Sequence, residues 1–191
     1  MTTLSYAHGA SEIPLLGETV GAALEATVAR VPDGEALISP HQEIRWTYAE
    51  LNRRVDELVA GFVALGLEPG ERIGICAPND AEWVVTQFAT AKAGLILVNI
   101  NPAYRLPELE FALKTVGCNA LVIAERVRTS DYIAMLNTLI PELASSKAGK
   151  LRSKRLPKLR LIIRLGEGKT PGMLNFGEVP PAGGTGAPAA A

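Results

Sequence analysis

The polar side chains best suited to binding a ligand lie in residues 99–105 (NINPAYR), directly after an apolar run. The segment contains two amides, a phenol, a guanidinium and a proline that restricts the backbone: Asn99, Asn101, Tyr104, Arg105 and Pro102. The first four groups can hydrogen-bond a polar or anionic ligand. A structural role is equally open, because asparagine side chains also satisfy backbone groups in turns.

A phosphate-binding loop is suggested by Gly168, Lys169 and Thr170, which follow a predicted strand. The complete GxxxxGK[ST] pattern requires a glycine where this chain has Ile163. A helix must also begin at the motif, so that its backbone NH groups face the phosphates, but Pro171 comes next. We therefore predict a surface turn.

The remaining reactive side chains give no catalytic or metal-ligating assignment. Cys76 lies in an apolar run, which is typical of an inert core thiol, and neither it nor Cys118 belongs to a CxxC pair. Because His8 and His41 are the only histidines, a histidine-rich metal site is not expected.

Composition and charge indicate a soluble globular protein. The chain has 191 residues, 48% of them hydrophobic, and a net charge of −1, which favours neither nucleic acid nor membrane. No apolar run is long enough for a transmembrane segment, and the N-terminus lacks the basic and apolar regions of a signal peptide. Together with the scarcity of cysteine, this predicts a cytoplasmic location.

One basic stretch interrupts this balanced distribution of charge. Residues 145–164 contain eight cationic side chains and no acidic one: Lys147, Lys150, Arg152, Lys154, Arg155, Lys158, Arg160 and Arg164. Such a stretch could contact phosphates, CoA or an anionic membrane surface. A solvated connection between a helix and a strand is the favoured interpretation, because runs of charge are usually exposed.

Short apolar runs alternate with amphipathic segments along the chain. The predicted strands are residues 72–77, 95–100, 120–124 and 159–165, each a continuous apolar run typical of a parallel strand covered on both faces. The predicted helices are residues 19–30, 48–65, 80–94, 107–117 and 131–140. This alternation predicts an α/β domain with a doubly wound, mainly parallel sheet and helices on both faces.

Several segments, in the right order, resemble core motifs of the adenylate-forming (AMP-binding) superfamily. Residues 46–51 (WTYAEL) resemble its first motif and residues 89–102 (ATAKAGLILVNINP) its second. Residues 66–75 match the usual entry into the intervening strand. The NINPAYR version, with residues 14–19 and 171–173, looks like the fatty-acyl-CoA synthetase branch.

This resemblance implies a two-step reaction. A carboxylate attacks ATP to give acyl-AMP and pyrophosphate, with Mg²⁺ offsetting phosphate charge, and the CoA thiol then displaces AMP. The family's phosphate loop, nucleotide contacts and catalytic lysine have no counterpart in the chain. Residues 184–188 (GTGAP) match that loop only partly, since Ala189 and Ala190 stand where it has lysine and glycine. No catalytic or cofactor-binding residue is carried over.

The resemblance divides the chain into residues 1–176, similar to an N-terminal subdomain of an acyl-CoA synthetase, and a low-complexity tail of residues 177–191, predicted to be disordered. We expect a fragment of a fatty-acid–CoA ligase that is inactive alone, with residues 99–105 contributing to the substrate side or to a subdomain interface. A non-catalytic module that docks on a partner is the alternative, and an independent nucleotide-binding domain is a third reading. Partners would be the remainder of the enzyme or a second copy joined through an apolar face.

Overall fold

The computed structural model describes Gly9 and residues 15–179. The helices are α1 Val20–Arg30, α2 Tyr48–Ala64, α3 Ala81–Lys92, α4 Leu106–Val116 and α5 Tyr132–Leu139. The strands are β1 Glu35–Ser39, β2 Ile44–Thr47, β3 Arg72–Cys76, β4 Ile96–Asn99, β5 Ala120–Ile123, β6 Arg126–Val127, β7 Ser130–Asp131, β8 Leu161–Arg164 and β9 Leu174–Asn175. Short 3-10 turns cover Pro40–Gln42, Pro141–Ser145 and Phe176–Glu178.

The central sheet has five strands in the order β4-β3-β5-β8-β9, and every pair in it is parallel. The chain moves from β3 to one neighbour, β4, and then returns to the other side of β3 to form β5. Right-handed crossovers therefore place α3 on one face and both α4 and α5 on the other. The helix contacts agree, because α1 and α2 pack on α3 whereas α4 packs on α5. The predicted doubly wound fold is confirmed.

The sheet's interior strands are covered on both faces. All four residues of β5 and all four of β8 are buried, which explains why these strands read as continuous apolar runs rather than alternating patterns. Gly74 lies in β3 where a Cβ atom would come within 2.8 Å of Ile100 Cδ1. A larger residue at this position would force the buried side chain of Ile100 to move.

A polar anchor joins the three helices of one face. The ammonium group of Lys92, on α3, donates to Asn52 and Asp56 on α2, both at 2.8 Å, and pairs with Glu25 on α1 at 2.8 Å. Burial works against the charged form, but the Asp56 and Glu25 carboxylates outweigh it and raise the pKa of Lys92. Above this anchor, α2 begins with the predicted capping box, in which Thr47 and Glu50 satisfy each other's backbone NH groups.

The antiparallel hairpin β1–β2 was not expected from the sequence. Its strands are short, and Pro40 begins the 3-10 turn that connects them. The turn packs on the start of α3, where Gln42 Oε1 accepts from the backbone NH of Ala81 at 2.8 Å and Gln42 Nε2 donates to Glu82 at 2.8 Å. The hairpin thus provides the N-terminal cap that Asp80, at the cap position, does not provide with its own side chain.

The basic stretch runs from the end of the 3-10 turn after α5 to the last residue of β8. Arg155 forms a bidentate pair with Glu110 on α4, at 3.0 and 2.7 Å. Arg160 binds both carboxylate oxygens of Glu71, at 2.7 and 2.6 Å, and the backbone oxygen of Gly66 at 2.7 Å. These contacts hold the connection against the amino edge of the sheet.

Some of the predictions made from the sequence fall on residues that the structure does not describe. The predicted division at residues 176 and 177 falls inside the 3-10 turn Phe176–Glu178. Residues 180–191, including the GTGAP segment, lie outside the described residues, as does Pro14. Among the helices of the described residues, none is both long and apolar enough to cross a membrane.

Candidate functional site

The candidate residues lie at the carboxyl edge of the central sheet. In open α/β sheets this edge binds ligands, at the point where successive crossovers change face. Here that point lies between β3 and β5. The loop after β4, which contains the candidate residues, lies beside it.

The candidate loop is held in place by its own side chains. Asn101 Oδ1 accepts from the backbone NH of Ala103 at 2.9 Å, which is the turn-stabilising role left open by the sequence. Arg105 donates to Ser130 Oγ at 3.0 Å and to Thr129 Oγ1 at 3.1 Å, so it ties the loop to the β6–β7 hairpin. Asn99 is exposed at the end of β4. The structure therefore brings Arg105 into a network and leaves Asn99 and Asn101 at the surface.

Beneath this loop, Tyr132 connects three elements of the carboxyl edge. Its fully buried ring places the hydroxyl against the backbone oxygen of Pro102, to which it donates. The Cys76 thiol, at the end of β3, and Ser130 lie near enough to this hydroxyl to affect its pKa. We call Cys76, Pro102, Arg105, Ser130 and Tyr132 the Tyr132 cluster.

The Tyr132 cluster is suited to positioning rather than to proton transfer. Burial raises the pKa of Tyr132 to about 12 and that of Cys76 to about 11. Both groups are therefore neutral near pH 7, where a general base or a thiolate nucleophile would have to ionise. The guanidinium of Arg105 is the charged group of the cluster, and it is exposed at the surface of the edge.

An ion pair lies at the carboxyl end of β8, on the same edge of the sheet. Arg164 is buried and donates to the carboxylate of Glu125 and to Thr170 Oγ1, the latter at 2.7 Å. Thr170 is thus engaged within the protein, and a turn at Pro171 and Gly172, not a helix, follows it. Residues 168–170 form an irregular segment that leads into this turn, and no helix begins there to present backbone NH groups to a phosphate.

A serine, a histidine and an aspartate also meet near the start of α3. Ser39 Oγ lies 3.4 Å from His41 Nδ1, and His41 Nε2 lies 2.9 Å from Asp80 Oδ1. Ser39 is buried, however, and donates its hydroxyl proton to Gln42 Oε1 at 2.8 Å. An activated serine must direct that proton to the histidine and expose its oxygen to substrate, so this group is not a hydrolytic triad.

A cleft of about 760 Å³ opens between the helical layer of α2 and α3 and the last turn, Phe176–Glu178. The guanidinium of Arg54 stacks on Trp46, with its carbon 4.1 Å from the ring centroid. Its Nε is buried and has no hydrogen-bond partner among the described residues.

Within the described residues there is also no group of three acidic, histidine or cysteine side chains able to hold a metal ion.

The sequence pointed to Arg105 but not to its partners. The sequence assigned Tyr132 only to a helix. It gave no sign that Ser130 and Thr129 contact Arg105, because they lie in the β6–β7 hairpin, whose strands have only two residues each. A short polar turn between a buried strand and a helix was the available hint.

Comparison with known proteins places these elements in a family. Residues 24–178 match the AMP-binding enzyme family. The mitochondrial medium-chain acyl-CoA ligase of Macaca fascicularis is 45% identical over 95% of this chain and 29% of its own length. The corresponding protein of Danio rerio is 48% identical over 84% of this chain and 27% of its own length.

A solved structure shows the same fold. The crystal structure of an anthranilate CoA ligase, in complex with anthranoyl-AMP, superposes with a TM-score of 0.71 at 23% identity and covers 90% of this chain and 30% of that one. The chain therefore spans about three tenths of the length of these relatives. The resemblance to an N-terminal portion of acyl-CoA synthetases is confirmed, and the chain belongs to the AMP-binding enzyme family.

Proposed function

We propose that this chain supplies the N-terminal subdomain of an ATP-dependent fatty-acid–CoA ligase. The observation that carries the proposal is 45% identity to a medium-chain acyl-CoA ligase across 95% of the chain. In the proposed reaction, the carboxylate of a fatty acid displaces pyrophosphate from ATP to give acyl-AMP, and the CoA thiol then displaces AMP to give acyl-CoA. ATP, Mg²⁺ and CoA are cofactors of the complete enzyme in this proposal, and no described residue is assigned to them.

The role of the described residues is to build and hold the carboxyl edge. The Tyr132 cluster fixes the loop of residues 99–105, and Arg105 presents positive charge there. We propose that Asn99, Asn101, Tyr104 and Arg105 contribute to the substrate side or to the contact with the rest of the enzyme. Because no described residue matches the family's phosphate loop or catalytic lysine, we expect the chain alone to form neither acyl-AMP nor acyl-CoA.

A chimera tests the proposal. The matched portion of the Danio rerio ligase is replaced by this chain, and acyl-CoA formation from octanoate, ATP and CoA is measured. The intact ligase and a version lacking that portion are the controls. Turnover close to that of the intact ligase supports the proposal, whereas a folded chimera with no turnover contradicts it. Robust turnover by the isolated chain contradicts the expected inactivity.

A second candidate function, a non-catalytic docking module, is favoured by the cleft beside α2. Arg54 lies there with an unpartnered Nε, a donor that a docking segment's carbonyl or carboxylate would satisfy. The test mixes this chain with the complementary portion of the Danio rerio ligase and measures co-elution. Arg54→Ala should weaken binding, and Arg30→Ala, at the exposed end of α1, is the control. Equal binding by both variants contradicts this candidate.

Calorimetry distinguishes these two candidate functions from the third, an independent nucleotide-binding domain. We expect no binding heat with ATP or CoA for the isolated chain.

The cytoplasmic location stays a prediction. Since the animal relatives are named as mitochondrial, cell fractionation must compare both compartments.

A further inference from the structure

The unpaired positive charge of the basic stretch lies in one short segment. Residues 145–164 contain eight of the 19 lysines and arginines of the chain and none of its 20 acidic residues. Arg155, Arg160 and Arg164 are paired with carboxylates of the protein. The other five cations are exposed and form no ion pair with any described residue: Lys147, Lys150, Arg152, Lys154 and Lys158. We call residues 147–158 the basic loop.

The basic loop is held to the protein by its apolar side chains. Leu151, Leu156 and Leu159 are buried, whereas the cations between them are exposed. The backbone NH of Leu151 donates to the carbonyl of Arg160 at 3.1 Å, which closes the segment at the amino edge of the sheet. Inside it, Ser153 Oγ accepts from the backbone NH of Leu156 at 3.1 Å. The cations therefore lie on an ordered backbone, so binding requires little further ordering of the chain.

Neighbouring carboxylates leave the basic loop positively charged. Glu110 is engaged by Arg155, and Glu71 is engaged by Arg160. Glu142 accepts from the backbone NH of Lys154 at 3.2 Å and adds one negative charge beside five positive ones. Since the chain outside the basic stretch has more acidic than basic residues, positive potential is concentrated at this part of the surface.

The basic loop is poorly suited to a small phosphate ligand or to nucleic acid. A small ligand needs polar groups that converge on a pocket, but none of the five cations lines the cleft beside α2 or the smaller grooves beside α3 and α4. Single-stranded nucleic acid is usually held by aromatic stacking as well as by charge, and residues 145–164 contain no aromatic side chain. A broad anionic surface needs neither feature.

We propose that the basic loop binds the surface of a membrane containing anionic phospholipids. Each lysine or arginine near such a surface strengthens binding by about fivefold. Because the leucines of the loop are buried in the protein, the contact is electrostatic and reversible, without insertion into the bilayer. The amino edge then faces the lipid, and the carboxyl edge with residues 99–105 faces away from it. This inference goes beyond the proposed function and does not depend on it.

Co-sedimentation with lipid vesicles is the first test. The purified chain is mixed with vesicles of phosphatidylcholine alone or of phosphatidylcholine with phosphatidylserine. We expect binding only to the vesicles that contain phosphatidylserine, and we expect it to disappear as salt screens the charges. No binding to these vesicles at low salt, or equal binding to both kinds, overturns the proposal.

Paired substitutions locate the contact. The double variant Arg152→Gln and Lys154→Gln should weaken vesicle binding by about twentyfold. The matched control is Arg128→Gln with Lys169→Gln, which removes the same charge from exposed residues outside the basic loop and should leave binding nearly unchanged. Circular dichroism verifies that both variants are folded. Equal losses in the two variants overturn the assignment to the basic loop.

A competition assay separates a membrane from nucleic acid. The chain is added to phosphatidylserine-containing vesicles and single-stranded RNA of mixed sequence at equal phosphate concentration, and the vesicles are sedimented. Recovery of the chain with the vesicles supports the proposal. Recovery with the RNA in the supernatant overturns it in favour of a nucleic-acid surface.

Because the chain spans about three tenths of the length of its relatives, the same assay is applied to the Danio rerio chimera. The chimera should bind anionic vesicles, and Arg152→Gln with Lys154→Gln should weaken that binding as in the isolated chain. Equal binding by the two chimeras shows that the basic loop is not used in the longer protein, and overturns the proposal. Vesicle binding requires no turnover, so this result is independent of whether the chimera is active.

Discussion

The amide oxygen of Gln42, in the turn of the β1–β2 hairpin, accepts a hydrogen bond from the backbone NH of Ala81 at 2.8 Å, and so caps a helix that begins 39 residues later. The first NH groups of a helix have no intrahelical acceptor, and a capping side chain usually comes from the residue just before the helix. In this protein the cap is tertiary. The start of α3 therefore depends on the docking of a separate element.

Replacing Gln42 tests this dependence. Gln42→Ala removes the cap of α3, the bond to Glu82 and the acceptor of the Ser39 hydroxyl. We expect the free energy of unfolding to fall by about 1–2 kcal/mol, measured by urea denaturation. Gln87→Ala, exposed on the same helix, should change it by less than about 0.5 kcal/mol. Similar values for the two variants would contradict a capping role.

The hydroxyl of Tyr132 is expected to hold the candidate loop. Tyr132→Phe keeps the buried ring but removes the donor to the Pro102 carbonyl, which should cost about 1 kcal/mol and speed amide hydrogen exchange in residues 99–105. Tyr104→Phe is the control, because the Tyr104 hydroxyl forms no hydrogen bond with any described residue. Unchanged exchange in the first variant would show that the loop is held by other contacts.

Acid should weaken the junction between Glu71 and Arg160. The side-chain hydrogen bonds from Arg160 hold the pKa of Glu71 below its usual value of 4.5. A carboxylate with a lowered pKa stabilises the fold fully above its unfolded pKa, and this contribution is lost as the pH falls through the folded pKa. The free energy of unfolding should therefore decline below about pH 4.5.

The variant Glu71→Gln isolates this contribution. It should lose stability near neutral pH and then show a shallower decline in acid than the native chain. Glu167→Gln, an exposed carboxylate without an ion pair among the described residues, is the matched control. Parallel stability curves for the native chain and Glu71→Gln would exclude Glu71 as the source of the pH dependence.

Both native thiols should be unreactive in the folded protein. Burial raises the pKa of Cys76 and that of Cys118 to about 11 each, so the reactive thiolate is scarce near pH 7 and also inaccessible. Ellman's reagent should label neither cysteine until denaturant is added. The exposed variant Thr115→Cys provides a rapidly reacting reference. Fast labelling of native Cys76 would indicate that the Tyr132 cluster opens to solvent.

Much of the fold was predictable because each central strand is buried on both faces. The runs at β3, β5 and β8 carry enough apolar residues to be recognised without knowledge of their neighbours. The β1–β2 hairpin was missed for the opposite reason. Its strands are short and only partly buried, so their conformation depends on docking of the connecting turn to α3 and not on a local pattern.

The candidate site was predictable at Arg105 but not as a cluster. The loop composition and its place after a strand identified residues that could bind, whereas the function of Tyr132 comes from contacts with residues 30 positions away. Residues from β3, the β4–α4 loop and α5 meet only because β4 is added on one side of β3 and β5 on the other. This strand order leaves no signature in a single sequence.

The position of β3 between two later strands also affects how the protein folds during synthesis on the ribosome. Its two neighbours, β4 and β5, are both made after it, and β5 ends only at Ile123. The apolar residues of β3 therefore remain without their final neighbours while roughly 50 further residues are translated, a span of several seconds at typical elongation rates. Factors that bind apolar segments of nascent chains should engage Ile73 and Ile75 during this interval.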